Sequence, residues 1–65
     1  MESDRAQLSA LASTLDDLTQ RITAMANSHQ GGTREDVSQG LYEVERSLRS
    51  AARNISKVMR IMRSS

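Results

Sequence analysis

Apolar residues recur along this chain in two runs that step alternately by three and four residues. The first is Leu8, Leu11, Leu15, Leu18, Ile22 and Met25; the second is Leu41, Val44, Leu48, Ala51, Ile55, Val58 and Met62. That alternation keeps every apolar side chain on one narrow side of an α-helix, and no polar residue interrupts either run. Between the runs, Ser28-His29-Gln30-Gly31-Gly32 reads as a stop, with Gly31 or Gly32 taking the left-handed conformation that glycine holds without strain. The pattern predicts a first helix over about 4–28, a loop over about 29–33 and a second helix over about 34–62. Ser3 is the expected cap of the first helix. Thr33 is the expected cap of the second, with Asp36 standing in for the usual Glu or Gln of a capping box.

Folding the chain back at the glycine pair aligns the runs in layers: Leu15 with Ile55, Leu18 with Ala51, Ile22 with Leu48 and Met25 with Val44. The expected fold is therefore all-α, an antiparallel two-helix hairpin of coiled-coil type, with residues 1–65 forming one unit. Taking Leu8 as heptad position a, the neighbouring e positions are Ala12, Thr19 and Ala26 on the first helix and include Ala52 and Met59 on the second. Small residues beside the seam, and Gly40 in the second turn of the second helix, would let another pair of helices approach closely. Two hairpins packed about a two-fold axis as a four-helix bundle are the expected assembly, with the thirteen seam residues as its core; a helical protein partner of different sequence is the alternative to the second copy. One seam between two helices buries little for a chain this short, and small helical scaffolds commonly solve that by associating.

Composition narrows the setting. Tyr42 is the one aromatic residue, and cysteine and proline are absent, so both periodic segments are free of internal breakers. A small secreted domain usually needs disulfides, so the missing cysteines favour a reducing, cytoplasmic location. No apolar stretch approaches the ~20 residues of a membrane span and no signal-peptide pattern opens the chain.

Catalytic chemistry has little to work with. His29 has no cysteine or second histidine to share a metal, and in the last turn of a helix its cationic form suits the dipole. Asp16 and Asp17 fall at b and c positions, pointing away from a bundle core, without the inward Glu-x-x-His pattern of di-iron bundles. Gly31-Gly32 lacks the following Lys-Ser/Thr of a phosphate-binding loop. The expectation is a protein that is not an enzyme and carries no cofactor and no metal.

Charge is distributed unevenly. Residues 1–33 carry Arg5 and Arg21 against Glu2, Asp4, Asp16 and Asp17, whereas from Arg46 onward there are six bases and no acid. Arg46, Arg49, Arg53, Lys57, Arg60 and Arg63 share one side of the second helix, roughly opposite its apolar run, with Tyr42 one turn before them. Three readings fit this stripe. It is a solvated face whose late charges complement the helix C-terminus; or it is a nucleic-acid footprint, against which a net charge of +1 weighs; or it meets an acidic protein or an anionic membrane surface. For a membrane, Ile61 and Met62 offer a weak anchor without the Trp or Phe of interfacial helices. Candidate partner-binding residues are Tyr42, Arg46, Arg49, Arg53, Lys57 and Arg60.

In length, in its two heptad helices and in its short loop, the chain resembles the ROP-type hairpin dimer. That resemblance is architectural, and it would imply RNA contact at a helix face. The leading expectation is a non-enzymatic interaction module, regulatory or scaffolding, that self-associates through its seams and presents a basic helix face to a partner. The alternative is a small nucleic-acid-binding regulator using the arginine stripe.

Overall fold

A computed structural model describes residues 2–29, 31–32 and 34–64. Two helices, α1 (Glu2–His29) and α2 (Glu35–Ser64), pack against each other along their length. Cross-helix bonds show the antiparallel course. Thr23 donates to Glu45 at 2.6 Å, Tyr42 to Asn27 at 2.6 Å, and Ser38 to the Ala26 carbonyl at 3.0 Å. Residue numbers thus fall along α1 as they rise along α2.

The helix ends differ from the expected ones for local reasons. Ser3 lies inside α1 instead of capping it: Glu2 and Asp4 both occupy the first turn, where acidic side chains suit the dipole, and Arg5 pairs with Glu2 at 3.5 Å. At the other end of the hairpin, Gly31 holds φ at 79° and so takes the left-handed position. The Gly32 amide closes the turn on the His29 carbonyl at 3.2 Å. The expected cap Thr33 lies outside the described residues. The Arg34 carbonyl accepts the first bonds of α2, from the Val37 amide at 3.1 Å and the Ser38 amide at 3.3 Å. Glu35 reaches back to the Gly31 amide at 2.6 Å and ties the loop to the start of α2. The second helix runs on to Ser64, two residues past the expected end, with Arg63 in a last turn whose dipole favours it.

The seam is turned relative to the expected one. The residues that come nearest to burial follow positions a and e, not a and d. Ala26, Thr19 and Ser38, all at e, are the buried residues among those described, and Ala26 is the one apolar side chain fully removed from solvent. Leu8, Leu15, Ile22, Leu41, Leu48, Ile55 and Met62, at a, are half-buried, as is Ala51 at d. The other d residues stand out to one side: Leu11, Leu18, Met25, Val44 and Val58 remain 42% to 55% exposed. Small residues explain the rotation. Alanine, serine and threonine at e let the backbones approach until Ser38 Oγ reaches a main-chain carbonyl of the other helix, and leucines at d would hold them apart. The expected layers keep their levels along the hairpin, but their d members flank the contact.

The resulting slab measures 51 × 15 × 10 Å, with a radius of gyration of 15.0 Å. A compact chain of this length would have a radius near 11 Å. Two long helices with one line of contact leave much of their apolar surface at the edge.

Candidate functional site

Because the helices run antiparallel with a and e between them, equivalent heptad positions of both fall on the same broad side of the slab. The b positions gather on one side and the d positions on the other. The two sides have opposite chemistry.

The b side is a polar zipper. Glu45, at e and 17% exposed, accepts from Thr23 at 2.6 Å and from Arg49 at 2.8 Å. The Thr23 hydroxyl, followed by the Arg49 guanidinium, holds the Glu45 carboxyl below the usual glutamate range. One turn nearer the loop, the half-buried Tyr42 gives its hydroxyl proton to Asn27 Oδ1. Thr19 satisfies its own hydroxyl on the Leu15 carbonyl at 2.7 Å. At the start of α2, the Arg34 guanidinium and then the Val37 amide lower the Asp36 carboxyl in the same way.

The basic stripe lies along the outer edge of this polar side. Arg46, Arg53 and Arg60 take the f positions of α2, Arg49 and Arg63 take b, and Lys57 takes c, opposite the a/e contact; all are exposed. Arg49 is tied to Glu45. Among the described residues, Arg46, Arg53, Lys57, Arg60 and Arg63 have no carboxylate within 4.0 Å. From Arg46 to Arg60 the row covers about 21 Å at the helical rise. Arg49 and Arg53 also line a shallow groove of about 230 Å³ with Asp16, Thr19 and Ala52. Asp16 adds one carboxylate to that lining, so its charge is mixed and not uniformly basic.

Among the described residues, the d side carries no hydrogen-bonded zipper. It presents Leu11, Leu18 and Met25 from α1 and Val44 and Val58 from α2, with the half-buried a residues beneath them. Its g-position borders are Gln7, Thr14, Arg21 and Ser28 on α1, and Gly40, Ser47, Asn54 and Ile61 on α2. Arg21 is the one charge among them, and it is neutralised by Asp17 at 3.1 Å. Monomeric proteins rarely leave so continuous an apolar strip facing water.

His29 is half-buried in the last turn of α1, its carbonyl engaged by the Gly32 amide. Among the described residues, no group of three or more His, Cys, Asp or Glu side chains could hold a metal ion. No helix is long and apolar enough to cross a membrane.

Of the candidate binding residues, the structure brings Arg46, Arg49, Arg53, Lys57 and Arg60 onto one edge and turns Tyr42 inward to the other helix. Thr23, Asn27, Ser38 and Glu45, which fix the pairing of the helices, carry no local pattern that marks them. Ser38 and Glu45 could have been found as polar residues recurring at e, seven apart. No protein-family model matches the chain, and no curated protein and no solved structure matches it at a significant level.

Proposed function

We propose that this hairpin is a non-enzymatic, cytoplasmic interaction module: two copies join through their d sides into a four-helix bundle, and the bundle offers its basic edges to a regulatory or scaffolding partner. One observation carries the reading. A hairpin whose fully buried apolar content is Ala26 leaves five larger side chains about half exposed in one continuous strip. Covering that strip with an identical strip completes the a/d core that the heptads encode. The slab face, 51 × 15 Å, offers roughly 750 Å² per copy, close to the ~800 Å² per partner of a standard stable interface.

The test is a charge placed at the centre of the strip. Leu18→Glu is expected to weaken association by at least about a hundredfold, since it forces a carboxylate into an apolar contact. The same change at the exposed f position, Gln20→Glu, is expected to leave association intact. Equal association of both variants and the parent would refute the assembly.

The second reading, contact with a nucleic-acid backbone, rests on Arg46, Arg53, Lys57 and Arg60 of the stripe, which have no carboxylate within 4.0 Å among the described residues. It predicts binding that falls steeply with salt, and a salt slope that drops by about one for each of Arg46→Ala, Arg53→Ala and Arg60→Ala. Absence of a mobility shift with duplex RNA or DNA at low salt would remove it and leave an acidic protein as the partner class.

A further inference from the structure

Two hairpins can share their d sides about a two-fold axis in two ways, with the loops at the same end or at opposite ends. From the borders of the apolar strip we infer that the copies lie with loops at opposite ends, α2 against the second copy's α2 and α1 against its α1. The inference rests on the self-association proposed above.

The first observation is a knob and a hole on one row. Ile61, at g, is 67% exposed, the most exposed large apolar side chain among the described residues. Gly40 lies on the same g row, and a Cβ built there would meet nothing within 4 Å. When α2 is laid antiparallel on its copy, Ile61 of each copy enters the space over Gly40 of the other, provided the axis crosses between Ser50 and Ala51. Such a contact is self-complementary, as a two-fold interface requires.

The second observation is charge. On the adjacent c row of α2, Glu43 and Lys57 have no ion pair in their own chain among the described residues. The same antiparallel arrangement, with its axis at Ser50, sets Glu43 of each copy against Lys57 of the other. On α1, Asp17 and Arg21 already pair within the helix. An axis at Thr19 brings the two pairs together with opposite charges facing. The d residues agree: Val44 meets Val58 about Ala51, and Leu11 meets Met25 about Leu18.

The decisive check is that these axes are one axis. A two-fold must cross both helices at the same level, and the intrachain bonds fix which levels coincide. Tyr42 bonds to Asn27; nine residues onward from Tyr42 is Ala51, and nine back from Asn27 is Leu18. By that bond, levels derived separately from α2 (Ser50 to Ala51) and from α1 (Leu18 to Thr19) meet to within a residue; the Thr23–Glu45 bond sets Ala51 at Asp17, and the Ser38 bond to the Ala26 carbonyl, nearest the loop, runs five residues off that level.

With loops together, α1 would instead lie beside the second copy's α2. Ile61 would then face Gln7, Lys57 would face Ala10 and Glu43 would face Ala24. The larger d residues of α1 would meet the smaller ones of α2, which is favourable packing. Yet Val44, Ala51 and Val58 also pack closely on their own copy, with Gly40 and Ser47 beside them, and only the opposite-end arrangement gives the charged rim its partners. Rim charges decide orientation more than affinity.

The chain has no cysteine, so Gly32→Cys carries one spin label per copy. A Cβ at Gly32 meets only the His29 carbonyl at 3.5 Å, an ordinary contact. Double electron–electron resonance on the labelled full chain is expected to give one intermolecular distance of about 40 Å, twice the helical rise from the axis to the loop. A distance below about 25 Å would overturn the orientation while leaving self-association intact. A monomeric mass for the same sample in sedimentation, with no intermolecular distance, would overturn the self-association itself. A second arm tests the knob. Gly40→Leu is expected to weaken dimerisation at least tenfold while raising helicity, and adding Ile61→Ala is expected to recover most of the loss. Unchanged dimerisation of Gly40→Leu would also overturn the arrangement.

Discussion

Ser38 is the side chain on which the pairing of the two helices turns. It is 1% exposed and donates to the Ala26 carbonyl across the contact. Ser38→Ala should cost about 1 kcal/mol, the net worth of a buried hydrogen bond. Ser38→Leu should cost more, because extra volume at the closest approach drives the helices apart; thermal melts followed by circular dichroism distinguish the two. Glu45 brings pH dependence. Its carboxyl is held below the ordinary range first by Thr23 and then by Arg49, so the folded state binds its proton less readily than the unfolded chain. That contribution is complete above the ordinary glutamate range and is lost as pH falls through it toward the depressed folded value. The melting temperature is expected to decline from about pH 5 to pH 3, with a shallower decline in Glu45→Gln and the remaining slope carried by Asp36, which is lowered likewise. Identical pH profiles for parent and variant would contradict the role given to Glu45.

The elements were legible in the sequence to different depths. Both helices and the reversal between them follow from the three-four spacing and the glycine pair, because helical periodicity and the left-handed turn are local properties. Gly31, not Gly32, has the positive φ. Gly31→Ala should therefore cost about 1 kcal/mol and Gly32→Ala little, a difference readable in urea melts. The rotation of the seam was not legible. The heptads name a and d as apolar but do not say which side of a faces the partner within the chain. That is settled by non-local features: small residues at e on both helices, and the Thr23–Glu45 and Asn27–Tyr42 bonds between residues far apart in sequence. Tyr42 shows the same limit. From its spacing it edges the basic stripe, and in the fold its hydroxyl is turned to α1. The stripe itself was fully legible, since its members lie on one helix and their common side follows from spacing alone.

For the whole molecule, the two broad sides divide the tasks. The b side locks the helices in register with hydrogen bonds, and the d side holds the exposed apolar surface proposed to associate, with the arginine edge at the far side of α2. An interaction surface built this way is separable from the fold of the hairpin. Replacing Arg46, Arg53 and Arg60 together by alanine should leave helicity and association unchanged while abolishing contact with an anionic partner, because among the described residues these side chains make no ion pair. Loss of helicity in that triple variant would show the stripe to be structural.

The central claim is that a second copy covers the strip running through Leu11, Leu18, Met25, Val44 and Val58. Sedimentation equilibrium over a micromolar range measures it directly. The expected result is a particle of twice the 7.2 kDa chain mass, reverting to one chain in Leu18→Glu. A parent protein that is fully helical and holds the mass of a single chain across that range would contradict the account.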